Sequence, residues 1–376
     1  MPIFDVRFQE PAQRLIWRAM AGARLPHAYI FHGPPGVGKR MLADRLANLL
    51  LCPKPREVVP PEWAGRAFDG IRCVDACGRC PDCHTATAGT HPDLHPIYRD
   101  LKAYHPDSQV RQRKGIELSI DVVRHFLLEP AGRRPLQGRA KVFIVEEAER
   151  LSEEAQNAML KTLEEPPPTT FIILLTRSLD GLLPTTRSRC QPVPFRALPA
   201  AFVESRLREL RPGLPPEGAA YLARFSQGRL GLAAQYAEDG LHEMKRAIGE
   251  SLATLSPHSA GAFAGKLAEQ AAQYGKLAAA RETEASDTEM NRVGLRAFLA
   301  VIAAFYADAL RRQCGSEGSL INVDQPRVID ALAGRHSRRG LTQAIRESAT
   351  AGFHIEDNAN VQLTLESLAV RLTRCG

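Results

Sequence analysis

The segment 33–40 has the residue types and spacing of a phosphate-binding loop. It reads Gly-Pro-Pro-Gly-Val-Gly-Lys-Arg and completes the pattern G-x-x-x-x-G-K. In such loops the glycines let backbone N–H groups surround phosphates, the lysine reaches the β and γ oxygens, and a following Ser or Thr binds Mg²⁺. Arg40 stands at that last position, with a positive charge and no hydroxyl group. The sequence therefore predicts a nucleotide loop without efficient hydrolysis. Its residues are Gly33, Pro34, Pro35, Gly36, Val37, Gly38, Lys39 and Arg40.

The second half of a nucleotide site follows the apolar run 142–145, which ends in Glu146 and Glu147. In ATPases of this type, a strand ends in an Asp that holds Mg²⁺ and a Glu that polarises the attacking water. Glu146 is one methylene longer than that Asp. We predict that both glutamates belong to a degenerate site, where ATP or ADP binding stays open and Mg²⁺-dependent hydrolysis is not expected. The alternative is a vestigial loop that serves only as a turn from strand to helix.

A cysteine cluster is the third chemical feature. Cys77, Cys80 and Cys83 form C-x-x-C-x-x-C, and three thiolates at that spacing can converge on one ion. Zn²⁺ takes four ligands in a tetrahedron, and a site closed by cysteines is structural rather than catalytic. The candidates for the fourth ligand are Cys52 and Cys73, and more weakly His84 and His91.

Composition sets wide limits. The chain has 376 residues, enough for two or three domains, and a net charge of +7. That charge fits a nucleic-acid neighbourhood, and an arginine-rich composition explains it equally well. We see no apolar run of the ~18–20 residues that a membrane span needs. The N-terminus does not resemble a signal peptide, so a cytoplasmic location is predicted.

Strand and helix patterns alternate up to residue 195. They predict an α/β domain whose parallel sheet has helices on both faces. The strand signals then end, and the remaining sequence predicts helices, rich in Ala and Leu from residue 247. We predict three domains, 1–195, 196–246 and 247–376. The predicted strands are 28–32, 94–97, 142–145, 171–175 and an edge strand at 193–195, and the predicted helices include 41–51 and one capped by Ser152 that runs to about Glu165.

Several segments resemble the clamp-loader ATPases of the AAA+ class. The segment 155–167, Ala-Gln-Asn-Ala-Met-Leu-Lys-Thr-Leu-Glu-Glu-Pro-Pro, is similar to their signature helix. Ser188-Arg189-Cys190 resembles their Ser-Arg-Cys motif, and 27–33 matches the entry to their loop. The cysteines 77–83, followed by His-Pro-Asp at 91–93, are similar to their zinc module. The resemblance is specific over about residues 5–195.

This resemblance implies an AAA+ P-loop domain with a zinc module at about 52–83, a small helical lid and an all-α collar that carries oligomerisation. It implies a five-subunit ring in bacterial DNA polymerase III that loads a sliding clamp onto primed DNA. The implied partners are the gamma/tau and delta subunits, the clamp, and primer–template DNA reached through the assembled complex, with no membrane. It also implies that Cys52 is the fourth zinc ligand.

By the same resemblance, Arg189 is an arginine finger that acts in trans on a neighbour's nucleotide. Because the chain's own loop is impaired, we see no use for this charge within the chain. Three residues favour a subunit with little or no ATPase activity of its own. They are Arg40, Glu146 and Gly231, and Gly231 stands where the hydrolysing relatives carry a nucleotide-sensing Arg. The alternatives are an ATP-hydrolysing motor subunit of the gamma/tau type and a stand-alone zinc module that binds DNA.

Overall fold

The computed structural model describes residues 2–22, 25–112, 117–137, 139–279, 287–316, 318, 320–357 and 359–375. The chain divides into two compact units, Met1–Ala197 and Leu198–Gly376. The first unit contains the strands and the second is helical.

The first unit alternates strands with helices, as the sequence predicts. Its strands are β1 (Ala28–His32), β2 (Arg56–Glu57), β3 (Val74–Asp75), β4 (Leu94–Ile97), β5 (Lys141–Val145), β6 (Thr170–Thr176) and β7 (Gln191–Pro194). Its α-helices are α1 (Glu10–Ala21), α2 (Lys39–Leu51), α3 (Pro81–Thr87), α4 (Ser108–Gln112), α5 (Ile120–Val123), α6 (Glu129–Ala131), α7 (Glu153–Glu164) and α8 (Pro184–Arg187), with a π-helical turn at Arg124–Leu128 between α5 and α6.

Five of these strands form one parallel sheet in the order β4-β5-β6-β1-β7. Strand β5 is buried along its whole length, which explains why 142–145 reads as an unbroken apolar run. Strand β7 lies at the edge, where Pro192 and Pro194 cost the sheet no ladder hydrogen bond. The predicted α/β fold class with a helical C-terminal region is confirmed. The short antiparallel pair β2–β3 was not predicted.

The second unit consists of helices in the part of the chain that the structure describes. These are α9 (Ala200–Leu210), α10 (Pro216–Phe225), α11 (Leu230–Glu238), α12 (Leu241–Ala253), α13 (Ala260–Ala279), α14 (Asp287–Gln313), α15 (Pro326–Arg335), α16 (Arg338–Glu356) and α17 (Val361–Thr373). A division at residue 246 falls within α12, so the predicted lid and collar are not separated at that residue. The three-domain organisation otherwise stays a prediction.

One helix corrects the expectation about apolar length. The segment Met290–Gln313 of α14 is long and apolar enough to cross a membrane by length and composition, with a mean hydropathy of 1.7. Of its most apolar window, 67% lies buried inside the protein, as in the core helix of a soluble protein.

A buried ionic network joins α12 to the segment before α15. The Lys245 ammonium group donates to Asp324 Oδ1 at 2.6 Å and to Asn322 Oδ1 at 3.3 Å. It also lies 4.0 Å from the centre of the Tyr221 ring. Burial lowers the pKa of Lys245 to about 8, and Asp324 opposes that change. The carboxylate therefore keeps a fully buried ammonium group charged within the helical unit.

We predict that Asp324→Ala lowers the free energy of unfolding of the helical unit by about 3–5 kcal/mol, because it leaves the buried Lys245 without its counter-charge. Urea denaturation of the full chain, followed by circular dichroism, measures this change. The control is Glu209→Gln, which removes one partner of the exposed Arg206–Glu209 pair and should change stability by less than about 1 kcal/mol. Equal effects of the two substitutions would contradict the prediction.

Candidate functional site

The candidate nucleotide loop joins β1 to α2, so the strand–loop–helix context predicted from the sequence is present. Gly33 has φ +137°, and a Cβ placed there would lie 2.3 Å from the Phe195 carbonyl oxygen. Gly38, the residue before α2, has φ +104°. Both conformations and the close approach to β7 require glycine, which has no Cβ. The backbone of the loop is therefore built as in a nucleotide-binding protein.

Lys39 is folded back onto its own loop. Its ammonium group donates to the carbonyl oxygens of Gly33 at 2.5 Å and Pro34 at 2.6 Å. Burial lowers the pKa of Lys39 to about 8; Glu149 opposes this change and Arg177 adds to it. A phosphate group must displace these two carbonyl contacts before the lysine can bind it.

Arg40 bridges two carboxylates at the start of α2. Its Nε donates to Asp44 Oδ1 at 2.8 Å, and its Nη1 donates to Glu146 Oε1. Burial raises the pKa of Glu146, and the charge of Arg40 opposes that rise. The guanidinium thus neutralises the glutamate that the sequence analysis assigned to the metal position. This geometry places an organic cation where hydrolysing loops have a hydroxyl ligand for Mg²⁺.

Glu147 is also engaged in ion pairs. It has φ +45° and lies 3.3 Å from Arg150 Nε and 3.4 Å from Arg177 Nη2. Its carboxylate oxygens are therefore paired with two guanidinium groups of the same domain. The two glutamates predicted for the degenerate site are adjacent in space, and both face arginines.

Arg189 lies between α8 and the edge strand β7. Cys190 is buried in the core of the first unit, whereas Arg187 is exposed. Arg189 Nε donates to Glu164 Oε1 at 2.6 Å, and Nη1 donates to the Thr185 carbonyl oxygen at 2.8 Å. The charge of Arg189 therefore has a partner within the chain, which the sequence did not predict. The motif places its cysteine in the core and its arginine at the surface, against Glu164.

The sulfur atoms of Cys52, Cys77, Cys80 and Cys83 all lie within 4.8 Å of one another. The distance from Cys77 Sγ to Cys83 Sγ is 3.9 Å, close to the ~3.8 Å edge of a tetrahedron with ~2.3 Å zinc–sulfur bonds. The backbone N–H of Cys77 donates to Cys52 Sγ, and that of Cys83 donates to Cys80 Sγ. Such bonds stabilise thiolates. The cluster can therefore hold a tetrahedral metal ion.

The pKa shifts of the cluster's thiols are consistent with a site that binds a cation. A hydrogen bond from the Arg79 backbone N–H is the main cause that lowers the pKa of Cys77 to about 6. Burial raises the pKa of Cys80 and of Cys83. Four thiolates this close together are stable only with a positive charge among them, and a divalent ion bound to all four provides that charge.

The structure distinguishes between the candidates for the fourth position. Cys52 follows directly after α2 and joins the cluster, whereas the thiol of Cys73 donates to the Ile71 carbonyl oxygen at 3.5 Å. The His91 ring lies 3.4 Å from Asp82, outside the four-sulfur group. Because Cys52 directly follows the helix after the nucleotide loop, the cluster is part of the first unit rather than a stand-alone module.

Three residues that hold Arg40, Arg189 or the segment before α8 in place were not assigned roles from the sequence. Asp44 could have been found, because it lies four positions after Arg40 on one helical face. Glu164 meets Arg189 from 25 positions away, and no sequence pattern signals that contact. Gln156 donates to the Gly181 carbonyl oxygen and accepts from the Leu183 N–H, and so positions the segment that leads to α8.

Two family models match the chain. The model described as "DNA polymerase III, delta subunit" covers residues 8–199, and the model described as "DNA polymerase III, delta subunit, C terminal" covers residues 270–374. The first match alone includes the nucleotide loop, the cysteine cluster and Arg189. The second covers most of the helical unit.

Curated relatives agree with these models. DNA polymerase III subunit delta' of Bacillus subtilis is 27% identical over 97% of this chain and 96% of its own length. The delta' subunit of Pseudomonas aeruginosa is 33% identical over 65% of this chain and 66% of its own length. Subunit tau of Escherichia coli is 29% identical over 70% of this chain but only 36% of its own length. Among solved structures, a gamma subunit-related protein from Thermotoga maritima aligns over 98% of this chain and 100% of its own, with 18% identity and a TM-score of 0.39.

Proposed function

The chain belongs to the DNA polymerase III delta subunit family and, within it, to the delta-prime clamp-loader subunits; from that premise we propose that it contributes Arg189 to the ATP site of a neighbouring subunit and hydrolyses little or no ATP itself. The proposal that the chain hydrolyses little or no ATP rests on the contact of Arg40 with Asp44 and Glu146. A guanidinium in that place neutralises the carboxylate on which metal binding depends. The ATP-hydrolysing gamma/tau role is disfavoured for the same reason.

The proposed partners follow from the family. They are the gamma/tau and delta subunits, the sliding clamp, and primer–template DNA reached through the assembled complex. We propose that the helical unit carries oligomerisation, since helices associate by packing their side chains against one another. The place of action is the cytoplasm, where replication takes place.

The loop supports nucleotide binding more than hydrolysis. Its glycine geometry leaves backbone N–H groups able to surround phosphates, and Lys39 needs only to exchange two carbonyl contacts for phosphate oxygens. ATP or ADP bound there stabilises the subunit and is not consumed.

We further propose that the four-cysteine cluster holds one structural Zn²⁺. Four thiolate ligands leave no open position for water or substrate. When bound, the ion supplies a crosslink between the end of α2 and the start of α3 and no chemistry of its own. Cys52, Cys77, Cys80 and Cys83 hold it.

The zinc assignment predicts one Zn²⁺ per chain in protein purified without added metal. Cys52→Ser should reduce the metal content strongly, because it removes one of the four converging sulfurs. Cys73→Ser is the matched control, a buried cysteine that donates to a carbonyl group, and should leave the content unchanged. Atomic absorption on the purified chains measures both. Metal loss from the Cys73 variant but not from the Cys52 variant would show that the ligand set is wrong.

The isolated chain should show no Mg²⁺-dependent ATP turnover above background, because no hydroxyl group is present at position 40 to bind the metal. Arg40→Thr should not restore turnover, since Glu146 and Gly231 also differ from hydrolysing relatives. Steady-state phosphate release measures this, with an ATP-hydrolysing gamma/tau subunit assayed in parallel. Turnover of the unaltered chain at the rate of that subunit would instead support the hypothesis of an ATP-hydrolysing motor subunit.

Arg189→Ala should leave folding and ring assembly intact but slow hydrolysis at the neighbouring ATP site. Arginine fingers typically contribute ~10³–10⁵ to the rate by stabilising charge on the transferring phosphoryl group. Arg189→Lys should rescue poorly, because a point charge cannot make the two-pronged contact.

The measurements for Arg189 are single-turnover ATP hydrolysis and clamp loading by complexes that contain the variant chain. Arg187→Ala is the control, since Arg187 is exposed two positions earlier on the same segment. Complexes with Arg189→Ala that load clamps at the unaltered rate would leave Arg189 with a structural role only.

A further inference from the structure

The last residue of α7 is placed to control the guanidinium of Arg189. Glu164 ends that helix, and Arg189 lies just before β7. Both N–H edges of the guanidinium have acceptors. Nε and Nη2 donate to Glu164 Oε1, and Nη1 donates to the Thr185 carbonyl oxygen and to Ser188 Oγ.

The two edges have different partners. The Nη1 side is held by neighbours one and four positions away, so it stays fixed wherever the local backbone is folded. The Nε–Nη2 side is held by one carboxylate from a different element. A phosphate can gain a two-pronged contact with this side only by taking the place of Glu164.

Glu164 does not stabilise its own helix. The C-terminal end of a helix carries partial negative charge, which disfavours a carboxylate there and favours a cation. Arg189 supplies that cation. The carboxylate is therefore best explained by its contact with the arginine.

We propose that Glu164 is a positioning residue, which holds the Nε–Nη2 edge of Arg189 in the unassembled protein and gives that edge up to a phosphate of the neighbouring ATP in the ring. The proposal rests on the proposed trans role of Arg189. It adds that the Arg189 side chain is already oriented before the ring assembles, because the Glu164 carboxylate occupies the place that a phosphate of the neighbouring ATP takes in the ring.

The exchange is feasible because the ion pair is accessible. The side chain of Arg189 is 30% exposed and that of Glu164 is 49% exposed. Water and salt screen such pairs, so the contact is weak. A triphosphate brings more negative charge than one carboxylate and displaces it, while Thr185 and Ser188 keep the guanidinium in place.

The test is ATP hydrolysis by the fully assembled clamp loader that contains Glu164→Gln. Glutamine keeps the size of the side chain and removes its charge. The substitution weakens the ion pair between Arg189 and residue 164, which must break before Arg189 can contact the phosphate. We therefore expect kcat/KM for ATP to rise by about 1.4- to 5-fold, the range that corresponds to the free energy of an exposed ion pair. The rise should shrink as salt increases, because salt screens the pair in the unaltered complex.

Glu165→Gln is the matched control. Glu165 is the next residue and is exposed, and its substitution should leave kcat/KM unchanged. Gel filtration confirms that each variant assembles. A second variant, Glu164→Ala, removes the hydrogen-bond acceptor as well as the charge and should raise kcat/KM at least as much as Glu164→Gln.

The combination with Arg189→Ala separates this proposal from the proposed function. The effect of Glu164→Gln should vanish in the Arg189→Ala background, because no guanidinium remains to be released. If Arg189→Ala slows hydrolysis and Glu164→Gln has no effect or slows it, the exchange is wrong and the trans role stands. If Arg189→Ala has no effect either, both ideas fail.

Discussion

The parallel arrangement of β1, β5 and β6 is the constraint on which the charged groups of the first unit depend. Parallel strands bring their carboxyl ends to one edge of the sheet, and the loops that follow them meet there. The nucleotide loop follows β1, and Glu146 and Glu147 follow β5. Arg40 and Glu146 come into contact only because these two strand ends lie on either side of β6.

The charged groups at that edge have partners within the first unit. Arg40 contacts two carboxylates, Glu147 contacts two arginines, and Lys39 is satisfied by carbonyl oxygens of its own loop. A hydrolysing site needs a carboxylate and a hydroxyl that converge on a metal ion with water. Here the Arg40 side chain stands at the position of that hydroxyl and contacts Glu146.

The same domain presents a second arginine that has a different number of carboxylate partners. Arg40 contacts two carboxylates, Asp44 on its own helix and Glu146 after β5, whereas Arg189 contacts one carboxylate from another element, Glu164. Cys190 in the core and Gln156 beneath the preceding segment fix the backbone on which Arg189 stands. A fixed backbone and a partly exposed partner suit the role in trans that we propose for Arg189.

The sequence by itself determined the elements and the identity of the chemical groups. Apolar runs, the glycine loop and the Ser152 cap predicted β1, β5, β6, α2 and α7 nearly to the residue, because these signals are local. The spacing of Cys77, Cys80 and Cys83 predicted a metal cluster for the same reason. Tertiary structure confirmed that Cys52, the ligand implied by the resemblance, joins the cluster in preference to Cys73. Tertiary structure alone decided that Arg40 meets Glu146 and that Arg189 meets Glu164. Each of these contacts joins residues far apart in the chain, and their meeting depends on strand order and helix packing, which no local pattern encodes.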